Sequence, residues 1–209
     1  MSNSREKILS KVRQALTSRV PVPFEGTNAS DNIFIPKSED IELEFAENFT
    51  KLQGKFCYCD SIAELIENLN ELATIRKWTN IYCVEDKLKQ TLQTSGFANF
   101  TATDLKDCNA SITTCEALIA RTGSMLLTSA SQSGRTVSIY APVHICVAYT
   151  SQLVYDIKDG LSLIKTKYKG KIPSLISLAT GPSRTADIEK TLVVGVHGPK
   201  EVFCFLVND

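Results

Sequence analysis

At 209 residues, with 43% hydrophobic and 22% charged side chains, the chain is long enough to bury one full core and has the balance of an ordinary globular protein. Lysine plus arginine equals aspartate plus glutamate at 23 each, so no net field gathers polyanions, and neither nucleic acid nor an anionic membrane is expected as a partner. No apolar run reaches membrane-spanning length and the opening Ser4-Arg5-Glu6-Lys7 lacks a signal-peptide core, so a cytoplasmic protein is expected.

Residues 4–19 predict an amphipathic helix, with Ser4 suited to the cap and Ile8, Val12 and Leu16, joined by Leu9, along one face. Residues 20–40 carry Pro21, Pro23, Gly26 and Pro36 among Asn28, Ser30 and Asp31, a composition that predicts an extended linker. Residues 1–40 are thus expected to form an N-terminal helix and linker, and 41–209 an α/β domain. The helix packs on its own domain or, in a homo-oligomer, on a neighbouring subunit.

A second helix is predicted over 41–51, with Ile41, Phe45 and Phe49 on one face, and a strand over 55–59. Ser61-Ile62-Ala63-Glu64 has the form of a capping box, and Ile62, Leu65, Ile66, Leu69 and Leu72 continue it as a helical stripe. A strand over 80–84, a short helix over 86–93 and a short strand over 97–101 follow. This alternation is the signature of a parallel sheet. Beyond residue 110 the pattern changes to short apolar pieces at 111–113 and 117–120, a turn at Thr122-Gly123, and strands at 124–128 and 136–140 around a loop at 131–134. Such spacing predicts antiparallel pairing within a mixed sheet. A strand over 144–149 leads to a helix capped by Ser151, carrying Leu153, Val154, Ile157, Leu161 and Ile164, with Gly160 as its weak point. A buried strand at 175–179, a short helix from Pro182, a strand at 192–196 and a last strand at 202–207 that closes the sheet complete a three-layer α/β sandwich with a mixed, mostly parallel sheet.

Seven cysteines are present, but Cys57 and Cys59 alternate along a strand, Cys83, Cys146 and Cys204 sit in apolar strands, and no Cys-x-x-Cys pair occurs. Metal sites commonly draw on such pairs, so no metal is expected on this chain and the thiols read as small core residues in a reducing compartment. The phosphate-binding loop, the dinucleotide fingerprint and the Gly-x-Ser-x-Gly elbow are all absent, so no cofactor is expected here either.

The densest chemistry lies in Thr180-Gly181-Pro182-Ser183-Arg184-Thr185-Ala186-Asp187-Ile188-Glu189. Gly181 allows a sharp exit from a strand and Pro182 suits the first helical position, which puts Ser183, Arg184 and Thr185 in a first turn. Free N–H groups, two hydroxyls and a guanidinium there form an anion site, or else an ordinary capped helix. Asp187 follows Arg184 by three positions and either pairs with it or orients it, while Glu189, two residues on, faces another way. Thr122, Gly123 and Ser124 form a second anion-holding turn or a plain hairpin turn. Arg135, at a loop exit, meets a carboxylate or phosphate, or solvent. His144 and His197 are the only histidines, each a candidate acid–base group or a structural one. Candidate catalytic groups are therefore His197, Asp187 and Glu116.

The decapeptide from Thr180, with Val196-His197-Gly198-Pro199 after it, resembles the C-terminal signature of the LUD domain, the lactate utilization protein C family. Ala120-Arg121-Thr122-Gly123-Ser124 resembles the family's Ala-Glu-Thr-Gly-Thr turn. Gly134-Arg135 through Pro142-Val143-His144-Ile145 resembles its Gly-Arg … Leu-Pro … His-Ile segment. The likeness runs from about Cys115 to Asp209, and Arg121 stands where the family usually has an acid. It implies the fold shared by glucosamine-phosphate isomerases, ribose-phosphate isomerases and CoA transferases. It also implies a non-redox subunit of a cytosolic L-lactate oxidation system, with the iron–sulfur clusters on separate partner subunits. This chain would supply a cleft for a small anion, an assembly surface, or both, with Ser183, Arg184 and Thr185 near Arg135 and His197. The rival expectations are a self-sufficient transferase or isomerase acting on a sugar phosphate or CoA ester, and a pure interaction module.

Overall fold

The computed structural model describes residues 4–17, 39–185 and 193–209, and its contacts divide the chain into two units, Met1–Pro36 and Lys37–Asp209. In the first unit, helix α1 spans Ser4–Thr17; the side chain of Leu16 and the linker expected before residue 39 lie outside the described residues.

In the second unit the elements in chain order are α2 (Ile41–Lys51), β1 (Lys55–Cys59), α3 (Ile62–Ile75), β2 (Ile81–Tyr82), α4 (Asp86–Thr94), β3 (Ala110–Thr113), β4 (Ala117–Ile119) and β5 (Ser124–Thr128). There follow α5 (Val137–Tyr140), β6 (Val143–Tyr149), β7 (Leu153–Val154), α6 (Ile157–Lys167), β8 (Ile176–Ala179), β9 (Arg184–Thr185), β10 (Val193–Val194) and β11 (Glu201–Val207). Five strands form a parallel sheet in the order β1-β11-β6-β3-β2. The protein is thus a mixed α/β fold around a mostly parallel central sheet. The antiparallel pairs expected within it stand apart, in a second sheet ordered β7-β4-β5-β8.

The last strand does not close the sheet. It lies inside it, between β1 and β6, because its side chains are needed on both faces. Val202, Cys204 and Leu206 join one core with Phe45, Phe49, Leu118 and Met125. Phe203, Phe205 and Val207 join the other, with Leu65, Leu69, Leu92 and Ile112. Burial on both faces is why β6 and β11 are predominantly apolar, His144 and Glu201 apart. A third cluster, of Ala117, Ile119, Leu126 and Ile164, packs α6 onto the far side of the second sheet.

Local chemistry explains the helices, and some departures from expectation. Asp40 caps α2 by accepting the Leu43 N–H at 2.9 Å. Ser61 caps α3 through the Glu64 N–H at 3.3 Å, but Glu64 reaches one residue further back than a capping box requires, to the Asp60 N–H at 2.7 Å. Residues 97–101 form no strand: Phe97 is fully buried and meets Phe100 edge-on at 5.2 Å, a spacing of three that needs turns rather than extension. Residues 136–140 are a helical turn rather than a strand, because the Thr136 carbonyl takes the N–H groups of Ile139 and Tyr140 and the Ser111 hydroxyl holds the Val137 carbonyl. Ser151 caps no helix; it binds Asp209, and Leu153 and Val154 are drawn into the second sheet beside Leu118 and Ile119. Helix α6 is capped instead by Asp156 and runs from Ile157. Gly160 is its close-packing point, since a Cβ there would stand 2.9 Å from Leu126 Cδ2. The strand expected to be buried, β8, is a half-buried edge with Leu178 exposed.

Candidate functional site

The described part of the signature after β8, residues 180–185, is not helical. Arg184 and Thr185 form β9, antiparallel to Val194 and Val193 of β10. The Ser183 N–H is taken by the Pro199 carbonyl and its carbonyl by the Gly195 N–H, both at 2.9 Å, which holds the backbone extended. The helical first turn expected to carry Ser183, Arg184 and Thr185 is therefore absent among the described residues. The Arg184 guanidinium instead donates to the Leu52 carbonyl at the end of α2, where the helix dipole favours a cation. Gly181 has φ 135°, and a Cβ there would lie 2.6 Å from the same Leu52 oxygen, so α2 dictates the glycine. Thr180, Gly181 and the half-buried Pro182 follow an edge strand of the second sheet, not the carboxyl end of a parallel strand. Asp187 and Glu189 lie outside the described residues.

The Thr122-Gly123-Ser124 turn also serves α2. Gly123 is left-handed at φ 59°, and a Cβ would stand 2.4 Å from the Phe49 nitrogen. Asn48 Nδ2 donates to the carbonyls of Ala120 and Arg121 at 3.0 and 3.2 Å, while the Thr122 and Ser124 hydroxyls bond each other at 2.7 Å. Arg121, in the family's acidic position, pairs with Asp156 at 2.8 Å; the guanidinium's hydrogen bond holds that carboxyl below its usual range. The ion pair thereby joins the turn to the cap of α6.

The other motif segments converge at the amino edge of the parallel sheet. A cleft of about 400 Å³ is lined by residues that include Thr136, Tyr140, Pro142, His197, Gly198 and Lys200. A Cβ on Gly198 would stand 2.9 Å from that of Ser183, and the Lys200 N–H donates to the Pro142 carbonyl at 2.8 Å. His197 is exposed here, with Lys200 beside it in the lining. His144 does not reach this cleft from inside the sheet: it is 1% exposed, its Nε2 lies 2.9 Å from Thr113 Oγ1, and burial lowers its pKa to about 4. It is a neutral core group. Arg135 reaches Ser174 Oγ at 2.7 Å.

At the opposite, carboxyl edge, Glu116 lines a smaller cavity of about 270 Å³ with Thr114, Thr128, Ser131, Lys167 and Tyr168. Its side chain is only 9% exposed. Oε1 accepts from Thr128 Oγ1 at 2.8 Å and the Tyr168 hydroxyl at 2.6 Å, and Oε2 accepts from Lys167 Nζ at 2.7 Å. Burial pushes the Glu116 carboxyl up, but these three donors outweigh it and hold the group below its ordinary range. The same hydrogen bond raises Lys167, and burial followed by Glu116 raises Tyr168. Next to it, Glu85 is 7% exposed and accepts from Thr114 Oγ1 and Ser133 Oγ, both at 2.6 Å.

Sequence reasoning missed Lys200 in the first cleft and Glu85, Lys167 and Tyr168 in the second. Glu85 carried a usable signal, an acid directly after an apolar strand, where open α/β sheets place ligands. Lys167 and Tyr168 carried none, because their nearness to Glu116 depends on how α6 crosses the second sheet.

The fold and these clefts define a mixed α/β domain with clefts at both edges of a parallel sheet and a glycine-rich motif packed against α2. The chain belongs to the LUD domain family, whose model matches residues 94–207, more than half of its length and starting upstream of the Cys115 boundary of the motif resemblance. It is 37% identical over 106 residues to lactate utilization protein C of Bacillus licheniformis and 36% identical over 106 residues to that of Bacillus subtilis. Each alignment covers 50% of this chain and 44% of the relative, so the matched region spans less than half the length of these relatives. A crystal structure of a DUF162 family protein from Deinococcus radiodurans aligns with a TM-score of 0.61 at 21% identity, over 82% of this chain and 99% of that one, a likeness of fold.

Proposed function

We propose that this chain is a non-redox component of a lactate utilization system and that its amino-edge cleft holds a small anion. The observation that carries the reading is convergence: segments 136–142 and 195–200, with Ser183 against Gly198, meet at one cleft although they are far apart in sequence. Lys200 supplies an ammonium group and His197 a ring nitrogen, a combination that binds a carboxylate. The names of the relatives point to lactate, and the resemblance implies, as part of this reading, iron–sulfur clusters on separate partner subunits in the cytoplasm. Arg184 stands outside the proposed anion site, since it does not line the amino-edge cleft and donates to the Leu52 carbonyl instead.

The test is to purify the tagged full chain from its own source without oxygen, identify the chains that accompany it, and assay iron and lactate-dependent dye reduction. Recovery of iron–sulfur chains with lactate-dependent reduction, lost when this chain is removed, is the expected result. A lone, iron-free chain and undiminished lactate oxidation in its absence would overturn the reading.

A further inference from the structure

We infer that the carboxyl-edge cavity around Glu116 is a second binding site, separate from the amino-edge cleft, and that it takes a neutral polyhydroxylated small molecule of monosaccharide or polyol class. A carboxylate offers about four lone-pair positions. Glu116 fills three, with Thr128, Tyr168 and Lys167, and keeps one for a further donor. Lys167 brings three N–H donors and spends one on Glu116; its side chain is 62% exposed, so the ammonium enters from solvent with donors to spare. A buried acceptor beside a cation with free donors matches a hydroxyl group, which donates to the first and accepts from the second. Vicinal hydroxyls repeat that match.

The surroundings exclude the opposite class. The cavity adjoins a second one of about 500 Å³, the two sharing Thr114 and Ser131, and together they are lined by three carboxylates, Glu85, Asp86 and Glu116, against two ammonium groups, Lys87 and Lys167. An anion meets more repulsion than attraction there, whereas a neutral polyol pays no charge desolvation. Glu85 fixes the Thr114 hydroxyl as a donor to itself at 2.6 Å, which leaves the Thr114 oxygen as an acceptor at the junction. A solely structural ion pair is the competing explanation, but apolar residues would join α6 to the second sheet equally well. They would not leave a cavity lined by hydroxyls at the carboxyl ends of β2 and β3, where open parallel sheets bind ligands.

The experiment is amide chemical-shift mapping on the full chain, titrated separately with D-glucose, D-ribose, myo-inositol, glycerol, sodium lactate and inorganic phosphate. At least one neutral probe is expected to shift the amides of 114–116, 128–131 and 167–168, and lactate and phosphate are expected to leave them in place. Lys167→Met, with circular dichroism checking that the fold survives loss of the Glu116 pair, should weaken that probe about ten- to a hundred-fold. Glu116→Gln should weaken it as well, and because that variant also loosens α6, Ser131→Ala serves as a check at a site with little structural load. Silence of all four neutral probes at these amides, a stronger response to lactate or phosphate, or undiminished binding in Lys167→Met would each overturn the inference. None of these outcomes depends on the amino-edge cleft, so either site can fail alone.

Discussion

Gly123→Ala tests whether the most recognisable turn of the motif serves a ligand or helix α2. The new methyl would stand 2.4 Å from the Phe49 nitrogen, 2.6 Å from the Asn48 carbonyl carbon and 2.8 Å from the Phe49 Cα, all backbone atoms of a helix that cannot yield locally. A left-handed alanine costs about 1–2 kcal/mol. Restoring van der Waals contact would push α2 back by roughly 1 Å, with a cost for overpacking of about 1–3 kcal/mol. The two hydrogen bonds from Asn48 to the Ala120 and Arg121 carbonyls would lengthen, at about 1 kcal/mol each. The expected loss is about 4–7 kcal/mol, a large share of a typical domain's stability. Gly134→Ala is the internal control, for Gly134 has φ 61° but a Cβ there meets nothing within 4 Å, so only the backbone cost of about 1–2 kcal/mol remains. Urea unfolding of both variants, followed by circular dichroism, measures the difference. Equal losses in the two would refute the packing role of Gly123.

Arg184→Ala should lower stability by about 0.5–1.5 kcal/mol, the worth of an exposed hydrogen bond to a helix end, and leave anion affinity unchanged; urea midpoints and lactate titration check the two halves. Arg121→Glu, which restores the acid usual in the family, sets two carboxylates together at the α6 cap and should cost about 2–4 kcal/mol in urea unfolding, because Asp156 is nearly buried. His144 is neutral in the folded chain, and its pKa falls from an ordinary 6.5 to about 4. The unfolded chain therefore binds the extra proton first, and stability should fall as pH drops from about 6.5 to 4, by roughly 3 kcal/mol over the window. Urea midpoints across that range, with the His144 ring followed by NMR, test it; a ring titrating near 6.5 would contradict the burial. Glu116, with its folded pKa depressed, adds stability that is present above the ordinary carboxyl value of about 4.3 and lost as pH falls below it. Glu116→Gln should flatten the acid limb of the stability curve, as urea midpoints between pH 3 and 5 would register, about two units being enough to read the slope.

Much of the frame was legible in the sequence because it rests on local chemistry. The Phe45 and Phe49 spacing, the Ser61 cap and the apolar runs at 144–149 and 202–207 each carry their own cause. The failures occurred where a distant partner decides the conformation. Pro182 and the residues after it have a helix start's composition, yet Pro199 and Gly195 claim the Ser183 backbone and draw the segment into a ribbon. Leu153 and Val154 fit a helical stripe, but a place beside β4 outweighs it. Residues 136–140 alternate in polarity without a neighbouring strand to pair with, so the alternation carried no meaning. The candidate site divided along the same line. His197 emerged as part of a cleft, whereas Gly123, Gly181 and Arg184 share one structural partner, α2, which no spacing in the sequence reveals.

Amide chemical-shift mapping with L-lactate asks whether the converging motif segments form a small-anion cleft at the amino edge of the sheet. Saturable shifts confined to residues near 136–142 and 195–200 are expected, weakened about ten-fold or more in Lys200→Ala and unaffected in Arg184→Ala. Shifts absent from those amides at saturating lactate, or a response that survives Lys200→Ala and vanishes in Arg184→Ala, would contradict that expectation.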